Sequence, residues 1–426
     1  MPRTGQVRRT QEPGMFTSRD CRRNLRWYLA FRIPFDFALW GPTWVLYMIH
    51  ELGLSFTQIM LLDLFYQALI ILLEIPTGML ADALGRRWSL RGAGVAMILS
   101  LAVWGFARNY WWVLGAWALW AAALALMNGA DAALIYESLL ADRREGEFGR
   151  VLGRFTTYSM LGIVVASLAG GWLAKWGYRA PIYAHIAVLS LTLIASLRLR
   201  EPPRAEQVRP GTPREIFRSL VAIVGQSAPF RILLAYAAAV QAVETLVIIY
   251  QQPLLVGVGL SVERLGLFYA VVTLLAALGP VAMTWASGRW GMIPVLGIAA
   301  SGIALSSMAL YLLPGLTLIA PLVVVRFLAD GARPVMIEAM NRLVGPRGRA
   351  TVLSVRSMCV AAVVGPMEVL SGWWADRVPI RRIFIACGLA LPLVVGCLGW
   401  LWRRRSEREE SAELAPQQVA LSSKRG

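Results

Sequence analysis

The stretch GMLADALGRR, residues 78–87, closes one apolar run, Phe56 to Leu80, and ends just before another that starts at Ser89. Between the runs sit a carboxylate (Asp82), a chain-reversing glycine (Gly85) and two arginines (Arg86, Arg87). Each flanking run is long enough to cross the ~30 Å hydrocarbon layer as a helix. The stretch therefore reads as a tight polar hinge between two membrane helices.

The rest of the chain repeats this pattern. Of 426 residues, 57% are hydrophobic and 16% charged, and the mean hydropathy is +0.58, too apolar for a soluble globular protein. The apolar runs are far too long for barrel strands, and only helices or closed barrels satisfy their backbone in lipid. The fold class expected is an all-α polytopic membrane protein of twelve spans: 25–49, 56–81, 89–106, 110–138, 155–176, 180–197, 229–256, 263–286, 292–313, 316–340, 350–373 and 380–402.

The net charge of +17 raises the question of nucleic acid. Its placement answers that: roughly thirty basic residues fall on one side of the spans and about seven on the other, the positive-inside asymmetry. With an even number of spans, both termini are expected to be cytoplasmic, and the membrane expected is the cell inner membrane. The division expected is a basic tail 1–24, a six-helix bundle 25–197, a cytoplasmic link 198–228, a second bundle 229–402 and a tail 403–426. Within the link, Glu201-Pro202-Pro203 breaks helix, and Thr212-Pro213-Arg214-Glu215 opens a short amphipathic helix on the membrane surface.

Short matches recur in order at an offset of about 200 residues, the mark of an internal repeat. Phe31-Arg32-Ile33 echoes Phe230-Arg231-Ile232, Gly53-Leu54-Ser55 echoes Gly259-Leu260-Ser261, and Gly129-Ala130 echoes Gly331-Ala332. Ser287 to Gly291 stands where the second half should repeat the opening hinge.

Gly78, Asp82, Gly85, Arg86 and Arg87 match the loop between the second and third helices of the major facilitator superfamily, which the chain resembles over all but its tails. Ala83 stands where that family usually has a basic residue. The resemblance implies two pseudo-symmetric six-helix bundles that rock about a midplane site lined by the first, fourth, seventh and tenth spans. It also implies an inner-face latch, for which Asp82, Arg86, Arg87, Glu137, Arg349 and Arg356 are the candidates here.

Charges within a bilayer persist only with a partner, a wet cavity or a function. Arg32 and Asp36 lie one turn apart on the first span and can pair. Asp131 and Glu137 fall on the fourth span, Arg326, Asp330 and Arg333 on the tenth, and Arg356 and Glu368 on the eleventh. Glu244, on the seventh, shows no local partner in the sequence. Glu244, Asp36 and Asp131 are the proton-coupling candidates, since a carboxylate in a low-dielectric cavity can exchange a proton for a solute. The competing reading makes these groups fixed salt bridges, and Asp36 beside Arg32 fits it best. Arg32, Trp117, Trp120, Asn128, Gln241 and Asp330 are candidates for the substrate cavity; core packing is the alternative for the tryptophans.

The cysteines and histidines show no metal spacing, so neither a metal nor a cofactor is expected. Phosphate-binding, zinc-protease and serine-hydrolase motifs are absent from the sequence, which argues against an enzyme. The expectation is a monomeric carrier for a small molecule, exporting a drug-like or amphipathic compound in exchange for protons. Two departures from the drug-antiporter branch of the family keep uptake by proton symport open: Ala125 stands where that branch has arginine, and the fifth span has no proline. A transport-inactive membrane sensor is the alternative from another class.

Overall fold

The computed structural model describes residues 16–203, 228–344, 349–397 and 399. The amphipathic helix expected after Thr212, the tail 403–426 and the side chain of Arg349 lie outside the described residues. Among the described residues every regular element is helical.

The first half holds α1 (Ser18–Asp36), α2 (Trp44–His50), α3 (Phe56–Leu84), α4 (Arg86–Gly105), α5 (Tyr110–Met127), α6 (Ala130–Ala141), α7 (Phe148–Leu173) and α8 (Ala180–Leu197). The second holds α9 (Ala228–Gly257), α10 (Val262–Trp290), α11 (Met292–Leu312), α12 (Ile319–Val344), α13 (Arg349–Ala375) and a last helix, α14, over 381–397. Ten of the described helical segments are long and apolar enough to cross a membrane.

Two expected spans are broken. The first is not one helix over 25–49: α1 begins at Ser18, inside the segment expected as tail, and stops at Asp36. Thr17 and Asp20 form a capping box there, satisfying backbone donors at the new start. Pro42 disfavours helical geometry at Gly41 before it, and the chain resumes only at Trp44. The turn needs space, since a Cβ on Gly170 would lie 1.8 Å from the Leu39 carbonyl oxygen. The fourth span breaks at Asn128-Gly129, where Gly129 takes φ +81.

The opening hinge is shorter than its polarity suggests. α3 stays helical through Asp82 to Leu84, and α4 starts at Arg86. At 29 residues and 1.5 Å per residue, α3 is about 43 Å long, so it overruns the ~30 Å hydrocarbon layer. Gly85 alone makes the turn, with φ 105° and ψ 154°. Gly291 makes the matching turn between α10 and α11 with φ 88° and ψ 161°. The internal repeat is therefore written in the backbone, and the molecule is two pseudo-symmetric six-helix bundles.

The bundles meet along two lines, α7 with α10 and α3 with α13, and at α2 against α9. Small residues set the approach on both lines. A Cβ on Gly171 would lie 2.6 Å from the Gly266 Cα, and one on Gly372 would lie 2.8 Å from the Phe56 carbonyl oxygen. At the arginine-poor end, Gln252 accepts from the Val45 amide (3.0 Å) and donates to the Gly41 carbonyl (2.9 Å). There too the Asp376 carboxylate receives the amides of Phe56 (2.8 Å) and Thr57 (3.0 Å) at the start of α3.

Candidate substrate and coupling site

The break in the first span leaves Asp36 as the last residue of α1, one turn beyond Arg32. Arg32 Nε donates to Asp36 Oδ2 at 2.6 Å, and Arg32 Nη1 to Asp131 Oδ2 at 3.2 Å. Asp131 is in the first turn of α6 because the fourth span breaks just before it. There its Oδ1 accepts from the Ala132 amide at 2.6 Å, and the positive end of the helix favours its charge. Tyr28 donates to the same carboxylate at 3.2 Å, and the Met127 sulfur lies 3.4 Å from Arg32 Nη1. One arginine here serves two carboxylates.

The second half builds its cluster on unbroken helices. Arg326, Asp330 and Arg333 fall at i, i+4 and i+7 of α12, one face of the helix. Glu244 on α9 is 2% exposed, and it is not the lone acid its sequence surroundings suggest. Arg326 Nη1 lies 2.8 Å and Arg333 Nη2 3.0 Å from its carboxylate. Asp330 pairs with the same two guanidinium groups at 3.1 and 3.3 Å. Gln241 donates to Glu244 Oε2 at 3.3 Å. Arg356 was expected at the inner-face latch. It lines the pocket of Gln241, Glu244 and Arg333 instead, so three arginines here stand beside two carboxylates.

At the hinge, Arg86 pairs with Asp82 (2.5 Å) and Glu137 (3.4 Å), which joins the second, third and fourth spans. Arg87 turns away toward Glu201, at 3.9 Å. Glu201 is the residue the sequence reading passed over, taking it only as part of a helix breaker. Its carboxylate accepts the amides of Arg86 (2.6 Å) and Arg87 (3.1 Å) and so caps α4. A Cβ on Gly85 would lie 2.7 Å from that carboxylate, whereas Gly78 has open space.

Trp117 is buried in an aromatic core with Trp40, Trp104 and Trp120. Trp120 is half-buried, its ring 4.8 Å from that of Trp40 and 6.1 Å from that of Tyr66. Asn128 is exposed at the break in the fourth span. His185 is held between the Trp40 indole (3.0 Å) and the Pro34 carbonyl (3.1 Å), which ties the first-span turn to α8.

One pair escaped the sequence reading. Asp63 on α3 and Glu368 on α13 are drawn to one side-chain amide, that of Gln67. Gln67 Nε2 donates to both, at 2.6 Å to Asp63 and 3.2 Å to Glu368. The only signal for it was an acid and an amide one turn apart inside an apolar run.

Two bundles related by an internal repeat, each carrying a charged cluster on the same two of its spans, define a polytopic membrane transporter. The Major Facilitator Superfamily model matches residues 27–366, and the chain belongs to that family. It is 24% identical over 242 residues to the uncharacterized MFS-type transporter YxaM of Bacillus subtilis, covering 55% of this chain and 59% of that one. It is 30% identical over 186 residues to a multi-drug resistance efflux pump PmrA homolog of Lactococcus lactis, covering 41% and 44%. The match thus spans less than two thirds of either relative. A bacterial homolog of the human lysosomal transporter Spinster shares the fold at TM-score 0.70 and 19% identity, covering 91% of this chain and 97% of that one.

Proposed function

We propose that the protein is a proton-coupled carrier that exports a small amphipathic, drug-like compound across the cell inner membrane as a monomer. The halves 25–197 and 229–402 would rock to expose one site to each side in turn. The observation that carries this reading is the pair of clusters on corresponding spans, the first short of arginine and the second in excess of it once Arg356 of the eleventh span is counted. Arg32 leaves Asp36 and Asp131 in excess, and Arg326, Arg333 and Arg356 outnumber Glu244 and Asp330. A solute with a cationic group can take the place of Arg32 at the first cluster, while its acceptor or anionic end meets the arginines of the second. Desolvating ion pairs is costly, and an exchange of partners offsets that cost at each step. The Asp82–Arg86–Glu137 contact would hold one of the two states, so replacing Asp82 slows turnover without altering which compounds move. The efflux pump homology supports the direction.

The test is a screen of lipophilic cations and zwitterions against the purified protein in vesicles that contain a pH-sensitive dye. The expected result is solute movement opposite to proton movement. Movement of both in one direction would replace export with symport, and binding without movement in either direction would leave only a sensor.

A further inference from the structure

We infer that Asp63 and Glu368 form a proton-binding dyad on the seam between the two halves, separate from the charged clusters of the solute site. The inference rests on proton coupling as proposed above and supplies the place where the proton sits.

Glu368 is 1% exposed, deep in α13. Its Oε2 accepts from the Gln67 amide, and its Oε1 is fully buried with no hydrogen-bond donor. Asp63 Oδ2 accepts from the same amide group. Among the described residues no arginine, lysine or histidine is paired with either acid, whereas Glu244 has two arginines and Asp36 has one. The other titratable groups near the dyad are Tyr66 on α3, Tyr250 on α9, and, around Tyr250, Cys387 on α14 and Asp376 beyond α13. None brings a positive charge. Two carboxylates bridged by one amide group, with no cation paired to either, cannot both stay ionised, so one proton is shared between them and satisfies the oxygen that lacks a donor.

The seam closes tightly on either side of the dyad. A Cβ on Gly365 would lie 2.5 Å from Leu64 Cδ1, and one on Gly372 would lie 2.8 Å from Met60 Cγ. Asp63 belongs to the first half and Glu368 to the second, so the dyad is intact only while α3 and α13 lie against each other at this level. Tilting one half against the other parts the carboxyl groups and admits water. Each acid then ionises separately, and one proton leaves to the open side. Closing the seam takes one proton back.

The experiment compares wild type with Glu368→Gln and Asp63→Asn in vesicles and records the infrared band of a protonated carboxyl group. Expected in wild type is a carboxyl band that Glu368→Gln removes and Asp376→Asn leaves in place. Both dyad variants should lose transport driven by a pH gradient and keep solute exchange driven by concentration alone. A band unchanged in Glu368→Gln and Asp63→Asn, or pH-driven transport retained by both, overturns the dyad. Wild type that moves solute without protons overturns the coupling reading itself, and the infrared result then stands as a separate test of the shared proton.

Discussion

The first and fourth spans of one half are each broken in two, whereas their counterparts, the seventh and tenth, run unbroken over Ala228–Gly257 and Ile319–Val344. The glycines that match in the repeat show how the two halves parted. Gly129 turns the chain at φ +81, with nothing within 4 Å of a Cβ built on it. Gly331 is helical, and its Cβ would meet Met283 Cγ at 2.7 Å and the Gly279 carbonyl oxygen at 2.8 Å. One position buys a bend and the other a close helix contact. The acids of the first half therefore sit at helix ends, where a small change in a turn re-aims them. Glu244 and its arginines are held within two continuous helices.

The strongest way to break this contrast is to remove one acid from each half. Glu244→Gln leaves Asp330 as the one carboxylate beside Arg326, Arg333 and Arg356, and breaking a buried ion pair costs about 3–5 kcal/mol. A large fall in melting temperature and loss of transport are expected. Asp36→Asn leaves Arg32 its second partner, Asp131, and should cost distinctly less. Equal losses in thermal unfolding of the two purified variants would end the distinction between a rigid and an adjustable cluster.

The glycines sharpen it next. Gly331→Ala drives α12 off α10 at an overpacked contact, which costs about 1–3 kcal/mol. Gly129→Ala meets no neighbour and carries only backbone strain, of order 1–3 kcal/mol at the most. A cross-link between the eighth and tenth spans should therefore form less readily in Gly331→Ala and normally in Gly129→Ala. A matching loss in both would show that the fourth-span turn also sets helix spacing.

The smallest effect belongs to the helix starts at Ser55 and Ser261. Ser55 forms a capping box with Gln58, and Asp376 adds a second cap from the other half. Ser261 makes no side-chain cap bond. Burial pushes the Asp376 carboxyl up, but hydrogen bonds from Thr57 and Phe56 outweigh it and hold the group below its usual range. A lowered folded-state value stabilises above the unfolded value of about 3.9, and the gain disappears as pH falls through the folded value. Asp376→Asn should thus lower stability by at most about 1 kcal/mol at neutral pH. That deficit should shrink in melting curves taken below about pH 4. A deficit that persists in acid would mean the cap does not depend on the charge.

What could be read beforehand was short-range. Arg32 with Asp36, and Arg326 with Asp330 and Arg333, are neighbours on one helix and follow from spacing alone. The hinge glycine announced itself because only Gly85 could turn the chain between two apolar runs. The partners of Glu244 come from a helix some eighty residues later, and nothing local points to them. Arg356 was placed by family resemblance, and its position beside Glu244 depends on how α13 packs. Asn128-Gly129 and Gly41-Pro42 were turn signals hidden inside apolar runs, where hydropathy outweighed them. Asp63 was lost in the same way.

The seam at Gly171 and Gly266 has one more consequence. Helices that meet through long side chains act like gears, since no tooth can pass another without a rotamer jump. Here backbone rests on backbone, with the Ser167 carbonyl oxygen only 2.4 Å from where a Gly266 Cβ would sit. At this point the seam is a bearing, and for the rocking proposed above it would serve the two bundles as an axle about which they turn without unpacking.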